Sequence, residues 1–265
     1  MKTRPRIDQL ISLEGKHALI TGSAAGIGKA IAHRFAEVGA SLSLVDIDGD
    51  SLAVTEGELV SLGAEVSSYV VDVSDKSAVD RLWVNLSGGG PDILVNNAGI
   101  YPFKRFIDVD EADYRHVMET NLDSVYWMCQ QMIVKRMKRG GIIINVGSTD
   151  GIRPLVEKLS HYSVSKAGVI ALTKTLAKEH AKHGFRVNAI VPGGILAPGA
   201  GAIGKQILTH RLGVLKTGLE YMQRLPVGRL GRPDEVARMA LVLASDLASY
   251  VHGTVIPVDG GFLSS

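Results

Sequence analysis

Cysteine, net charge and long apolar runs are all scarce in this sequence. Cys129 is the only cysteine among 265 residues, so a disulfide framework is excluded and no metal site is predicted. No stretch of about 18 uncharged apolar residues occurs, and residues 1–16 lack the apolar core of a secretion signal. We therefore expect a cytoplasmic protein with no membrane partner.

Neither positive nor negative charge is in large excess. A formal net charge of +2 is too small to indicate a nucleic-acid or membrane partner. The densest basic run, at 135–140, ends a helical pattern, where cations are stabilised. What the chain does have is 30 glycines and a hydrophobic share of 46%, which is typical of a globular protein with many tight turns.

Apolar runs rich in β-branched residues alternate along the chain with segments of helical period. This order predicts a doubly wound α/β fold, with a parallel seven-stranded sheet and helices on both faces, in a single domain over residues 1–265. The predicted strands are 17–21, 42–46, 65–73, 92–97, 141–148, 185–193 and 254–260. The predicted helices are 27–38, 49–62, 75–86, 111–138, 162–182 and 234–247.

Residues 193–226 interrupt this alternation. Segment 193–206 is rich in glycine and alanine, and helix-like residues follow it before the strand pattern resumes. Connections longer than about 12–15 residues are uncommon in compact domains unless they are functional, so we interpret 193–226 as a substrate lid. An ordinary long surface loop is the alternative.

A glycine-rich turn follows the first predicted strand. At Gly22, Gly26 and Gly28 the missing β-carbons let the backbone approach a pyrophosphate, whose charge the N-terminus of the next helix stabilises. The spacing differs from the usual dinucleotide fingerprint, so the motif is weak by itself. The following strand ends at Asp46, whose carboxylate suits ribose hydroxyls and repels a 2′-phosphate, which favours NAD over NADP.

A tyrosine and a lysine share one face of a later predicted helix. Tyr162 and Lys166 are four residues apart, so an ammonium lies beside a phenol and is expected to lower its pKa. Such a pair can move a proton to or from an alcohol oxygen. Ser148 ends the preceding strand, at the sheet edge where ligands bind. An incidental neighbour pair on an amphipathic helix is the alternative.

Several motifs occur together in order. They are TGSAAGIG at 21–28, Asp46, VDVSD at 71–75, NNAG at 96–99, Asn121 in TNLDSVY, Ser148, YSVSK at 162–166 and VNAIVPGG at 187–194. In this combination the chain resembles the short-chain dehydrogenase/reductase family, whose members are single-domain proteins with an NAD(P)-binding, Rossmann-type fold. The resemblance covers residues 13–262.

The resemblance implies a role for each of four residues. Tyr162 would be the general acid/base, and Lys166 would lower its pKa and hold the nicotinamide ribose. Ser148 would orient the substrate, and Asn121 would maintain a water-linked proton relay. No metal is implied.

The resemblance also implies a set of residues around the cofactor. They are Gly22, Gly26, Ile27, Gly28, Asp46, Asp72, Val73, Asn97, Gly99, Tyr162, Lys166, Pro192 and Ile195. The chain departs from the family at Ala197, where many members have a threonine that faces the nicotinamide carboxamide, so this contact is not expected.

We therefore predict an NAD-dependent oxidoreductase that transfers a hydride between NAD and a secondary alcohol or ketone. A 3-oxoacyl carrier-protein reductase, or a sugar or hydroxysteroid dehydrogenase of the same family, is the enzymatic alternative. A non-catalytic NAD-sensing protein is the alternative from another class. Family resemblance further predicts a homo-oligomer, either a dimer or a tetramer. His161, next to Tyr162, is expected either to face the substrate or to pack against a loop.

Overall fold

One parallel sheet organises the molecule. The computed structural model describes residues 4–86, 89–154, 156–196 and 224–265. Its strands are β1 (His17–Thr21), β2 (Ser41–Asp46), β3 (Val66–Val70), β4 (Ile93–Asn96), β5 (Gly141–Val146), β6 (Phe185–Pro192) and β7 (Val255–Val258). Their order is β3-β2-β1-β4-β5-β6-β7, and every pair is parallel. The predicted seven-stranded, Rossmann-like sheet is confirmed.

Helices connect the strands and cover both faces of the sheet. Within the described ranges they are α1 (Ile7–Ile11), α2 (Gly26–Glu37), α3 (Gly49–Ser61), α4 (Lys76–Asn85), α5 (Glu111–Met118), α6 (Ser124–Arg136), α7 (Ser160–His180) and α8 (Pro233–Ala244). None of them is long and apolar enough to cross a membrane. The short helix α1 was not predicted, whereas the bounds of α2, α3, α4, α7 and α8 lie within a few residues of the predicted ones, because helical period was clear in the sequence there.

Alternation along the strands builds two apolar cores. In β1, Ile20 packs with Phe35 of α2 on one face, and Leu19 packs in the cluster that holds Trp83 of α4 on the other. Side chains of a strand point alternately to opposite faces, so a central parallel strand is buried on both sides. Cys129 lies in the second core, where burial raises the pKa of its thiol to about 12.

One predicted helix is divided. The sequence predicts a continuous helix over 111–138, but a π-helical turn at Glu119–Asp123 separates α5 from α6. A π turn inserts an extra residue into the helical ladder, and such turns are frequent at functional sites. Asn121 lies at the centre of this turn and is fully buried.

All seven strands end at the same edge of the sheet. Because β1 and β4 are neighbours, the chain crosses over between the β3 end and the β5 end of the sheet at this point, and a crevice opens outside the carboxyl ends of β1 and β4. Ligands of open parallel sheets bind at such a crevice. The residues named by the sequence analysis surround this edge.

Candidate active site

The turn after β1 can be built only with glycine. Gly22 and Gly26 have positive φ angles of 65° and 59°, a conformation that other residues rarely adopt. A β-carbon on Gly28 would lie 2.0 Å from the carbonyl oxygen of Gly22 and 2.6 Å from Nδ2 of Asn97. The chain therefore passes close to itself here, and the start of α2 is held against the end of β1.

The N-terminus of α2 forms the floor of this turn. The helix begins at Gly26, and its N-cap residue, Ala25, has no side-chain acceptor for the first N–H groups. Those donors and the helix dipole favour an anion, and Gly22 and Gly26 leave room for it beside the backbone. Ile27 is half-buried in the first turn. These features fit the pyrophosphate of a dinucleotide.

Asn97 joins the ends of β1 and β4. Its Nδ2 donates to the carbonyl oxygens of Thr21 and Gly22, over 3.0 and 2.9 Å. In return, the Thr21 hydroxyl accepts from the backbone N–H groups of Asn97 and Ala98. The two strand ends on either side of the crevice are therefore fixed relative to each other. The Asn97 side chain supports the glycine turn by donating to its backbone carbonyl groups.

Asp46 lies at the end of β2, beside the glycine turn. One carboxylate oxygen accepts from the backbone N–H of Ala24 over 2.9 Å, and the other accepts from Asp48 over 3.0 Å. The side chain is half-buried and held in place by these two bonds. A fixed negative charge at this position can accept hydrogen bonds from ribose hydroxyls and disfavours a 2′-phosphate.

Two apolar residues near Asp46 were not found by sequence reasoning. Ile47 follows β2 and Val70 ends β3, and each is 65% exposed, which is unusual for such side chains beside a buried sheet. Val73 is buried, and Asp72 is exposed, accepting from both the N–H and the hydroxyl of Ser74. Apolar side chains exposed beside Asp46 are of the kind that can pack against an adenine ring. Their signal in the sequence was an apolar residue just beyond a strand end.

Ser148, Tyr162 and Lys166 come together beyond β5. Ser148 lies beside the Tyr162 phenol and acts to lower its pKa, and its Oγ accepts from the N–H of Asp150 over 3.2 Å. The Lys166 Nζ lies 5.9 Å from the centre of the Tyr162 ring and donates to the carbonyl oxygen of Val146 over 2.9 Å. The fold therefore brings a hydroxyl, a phenol and an amine to one point.

The predicted lowering of the Tyr162 pKa by Lys166 is not among the effects that shift this pKa in the structure. Burial raises the pKa of Tyr162 to about 12, and the neighbouring Ser148 hydroxyl only partly opposes this shift. Burial also lowers the pKa of Lys166 to about 8. Desolvation disfavours the charged form of each group, so the more acidic phenol that the spacing suggests stays a prediction. Sequence spacing reveals proximity but not burial.

Asn121 clamps the segment that follows NNAG. Its Oδ1 accepts from the N–H of Ile100 and its Nδ2 donates to the carbonyl of Ile100, both over 2.8 Å. Nδ2 also donates to the hydroxyl of Ser165, next to Lys166 in α7. A β-carbon on Gly99 would lie 3.1 Å from Asn121 Oδ1, so glycine is favoured there. The side chain is used for positioning, and the proton relay stays a prediction.

The remaining predicted residues flank the end of β6. Pro192 is buried at the strand end, and Ile195 forms a bridge with Gly231, against which its side chain packs. Leu196 donates its N–H to the carbonyl of Gly231. Ala197 and most of the predicted lid, residues 197–223, lie outside the described residues.

His161 precedes Tyr162 in α7 and is buried. It is 2% exposed and lines a cavity of about 340 Å³ with Phe106, Tyr114 and Val164. Burial lowers the pKa of its imidazole. Of the two expectations for this residue, packing is the one that the structure supports.

Comparison with known proteins agrees with this geometry. A family model described as enoyl-(acyl carrier protein) reductase matches residues 22–263. A 3-oxoacyl-[acyl-carrier-protein] reductase of Thermotoga maritima is 40% identical over 95% of this chain and 99% of that protein. Galactitol 2-dehydrogenase (L-tagatose-forming) of Cereibacter sphaeroides is 37% identical over 94% of this chain and 96% of that protein.

Solved structures show the same fold. The structure of a putative 2-deoxy-D-gluconate 3-dehydrogenase from Agrobacterium tumefaciens, solved with bound NADP, has a TM-score of 0.86 and 32% identity, over 97% of this chain and 99% of that chain. The chain belongs to the short-chain dehydrogenase/reductase family, and it is an oxidoreductase of that family. The family binds a nicotinamide cofactor, for which the glycine turn and Asp46 provide a fitting cradle.

Proposed function

We propose that this protein transfers a hydride between NAD and a secondary alcohol or its ketone, with Tyr162 as general acid/base. The observation that carries the proposal is the proximity of Ser148 to the Tyr162 phenol at the carboxyl edge of the sheet, with Lys166 beside the phenol ring. A substrate oxygen placed there would meet a proton donor and acceptor and a second hydroxyl at once.

The chain's own residues handle the proton. In oxidation, the Tyr162 oxygen accepts the hydroxyl proton of the alcohol, and in reduction it returns a proton to the carbonyl oxygen. Ser148 holds that oxygen beside Tyr162, and the charged form of Lys166 stabilises the phenolate. The nicotinamide cofactor, when bound, supplies the hydride acceptor or donor.

Charge near the turn supports NAD over NADP. Asp46 holds a carboxylate beside the glycine turn, where it would repel a 2′-phosphate, and Ser23, Ala24 and Ala25 bring no cation to offset the repulsion. Lys29, in the first turns of α2, is paired with a carboxylate of α3, Glu58, over 2.8 Å. The lysine that the helix could offer to a phosphate is therefore engaged elsewhere.

Exposed apolar side chains at the substrate end support an apolar substrate. Ile152 follows β5 and Leu196 follows β6, and they are 48% and 55% exposed at the same sheet edge. An apolar substituent on the carbinol carbon would cover this surface, whereas a polyol would gain little from it. This observation favours an apolar alcohol or ketone over a sugar.

A 3-oxoacyl carrier-protein reductase is the second candidate. It is favoured by the identity with the Thermotoga maritima reductase, over nearly the full length of both proteins. The keto group of a 3-oxoacyl thioester would meet the same Ser148 and Tyr162, so the chemistry at the oxygen is shared. A non-catalytic sensing role is not supported, because the acid/base residues and the cofactor cradle are both in place.

Two further expectations belong to this proposal. We expect a cytoplasmic location, because the only cysteine of the sequence, Cys129, is a free thiol, and free thiols are usual in reducing compartments. The dimer or tetramer suggested by family resemblance stays a prediction, and its measurement is the mass of the protein in solution.

A substrate panel separates the candidates. The purified protein is assayed with NAD and NADP on secondary alcohols, sugars and an acetoacetyl thioester in the reducing direction. The proposal predicts turnover of apolar secondary alcohols with a preference for NAD. Turnover confined to the thioester with NADPH would establish the second candidate instead, and inactivity toward the whole panel would reject both.

A further inference from the structure

A second tyrosine lies against the proposed acid/base. The Tyr101 and Tyr162 rings make an edge-to-face contact, with centroids 6.2 Å apart and planes at 71°. Tyr101 is 41% exposed, so part of its ring faces outward beside the phenol of Tyr162. The Tyr101 ring therefore lies beside the group that the proposed function brings into contact with a substrate oxygen.

The chain holds Tyr101 in this position from both sides. Before it, the backbone of Ile100 is bound by both ends of the buried Asn121 amide, each over 2.8 Å. After it, the N–H of Lys104 donates to the carbonyl of Lys158 over 2.9 Å. Residues 101–104, which we name the strap, are therefore tied at each end, to the π-helical turn and to the segment before α7.

The location of the strap relates it to substrate rather than to cofactor. It follows β4, whose neighbour β5 leads to Ser148, and Lys158 lies in the segment between Ser148 and Tyr162. The strap carries a second exposed aromatic residue, Phe103, at 42% exposure. Aromatic surface left open beside a reacting group suits a flat apolar substituent.

We propose that Tyr101 is a specificity-determining residue, whose ring forms the wall against which the substituent of the carbinol carbon packs. The site would then prefer alcohols and ketones with a flat ring beside the reacting carbon over those with a short alkyl chain. This inference rests on the proposed function, because it assigns the substituent pocket of the same reaction. It gives Tyr101 no part in proton transfer.

Surface packing unrelated to the substrate is the competing explanation for the Tyr101 contact. Another tyrosine of the chain serves as a control for it. Tyr126 of α6 is 46% exposed and makes an edge-to-face contact with Trp127, with centroids 5.0 Å apart. It therefore resembles Tyr101 in exposure and ring geometry but lies on a helix that does not reach Tyr162. Removing its ring should affect stability alone.

Three variants test the proposal: Tyr101→Ala, Tyr101→Phe and, as the matched control, Tyr126→Ala. The ratio of kcat/KM for 1-phenylethanol to that for 2-butanol is measured with saturating NAD. We expect Tyr101→Ala to lower this ratio by about 5- to 10-fold, mainly through the KM of the aryl alcohol, because a ring contact of that size is lost. Tyr101→Phe keeps the ring and should keep the ratio, and Tyr126→Ala should not change it.

A ratio unchanged in Tyr101→Ala would overturn the inference while leaving the proposed function intact. If the wild type turns over neither alcohol, the proposed function fails, and binding then tests the wall separately. Acetophenone is titrated into the NAD-saturated protein. Weaker binding by Tyr101→Ala than by the wild type supports the wall, and equal affinity, or no binding by the wild type, overturns it.

Discussion

The two halves of the carboxyl edge are built differently. The half proposed to bind the cofactor, which we call the cofactor half, lies at the ends of β1, β2 and β3 and consists of glycines, backbone N–H groups and one fixed carboxylate, Asp46. The half proposed to bind the substrate, which we call the substrate half, lies at the ends of β5 and β6 with the strap and the start of α7 and consists of side chains such as Tyr162 and Tyr101. Binding in the first half depends on a ligand coming close to the backbone, and binding in the second half depends on the chemical groups of the side chains.

This difference shows how one fold can keep its cofactor and change its substrate. A β-carbon added in the cofactor half meets backbone or buried amide atoms that have no room to move, as at Gly28. A side chain changed in the strap or at Ile152 meets open space, because these residues are partly exposed. The backbone therefore restricts the first half, and the second can vary without unfolding the sheet.

The largest expected effect is on the substrate half. Tyr162→Phe removes the phenol oxygen and keeps the ring, so kcat should fall by about 10³-fold, while the affinity for NAD changes little. Steady-state rates and a nucleotide titration measure the two quantities. A rate within tenfold of wild type would mean that another group moves the proton.

A smaller effect is expected in the cofactor half. Gly28→Ala places a methyl group against the Gly22 carbonyl, so NAD affinity should fall by about 10- to 100-fold as the turn is displaced. Gly57→Ala in α3 is the matched control, because its β-carbon meets nothing within 4 Å. It should bind NAD normally and gain about 1 kcal/mol of stability from better helix propensity. Similar NAD affinities in the two variants would contradict a glycine-dependent turn.

The smallest expected effect concerns the choice between cofactors. Asp46→Asn keeps an acceptor for the N–H of Ala24 but removes the charge, so the preference for NAD over NADP should fall by about 10-fold. The kcat/KM values with both cofactors measure the preference. Asp80→Asn on α4 is the control. A preference unchanged by Asp46→Asn, or one for NADP in the wild type, would remove the electrostatic argument.

Much of the fold was predictable because its signals are local. The β1 segment, HALIT, is apolar, short and followed directly by a glycine turn, so its bounds could be read from the sequence. The division of the helix at Asn121 could not, because helical period does not reveal one extra residue in a turn. Relations between motifs, such as Asn121 with Ile100, appear only when the chain is folded.

The residues of the candidate site could be predicted from the sequence, but the shifts of their pKa values could not. Tyr162 and Lys166 were found by their spacing, but the directions in which burial moves their pKa values depend on surrounding atoms that no spacing encodes. Ile47 and Val70 were missed because an apolar residue near a strand end looks like part of the core. Their exposure became visible only in the folded structure.

The pH dependence of both reaction directions tests the central claim most directly. Burial raises the pKa of Tyr162, so the phenolate that accepts a proton in alcohol oxidation becomes scarcer as pH falls, by tenfold per unit well below the pKa of the bound state. The neutral phenol that donates in ketone reduction is retained over the same range. We predict that oxidation measured from about pH 6 to about pH 9 rises with pH, and that reduction does not rise. The difference in pH dependence between the two directions follows from the proton that the overall reaction releases, so the comparison with Tyr162→Phe is the decisive one: a rise in oxidation with the same slope in that variant would contradict proton transfer through Tyr162.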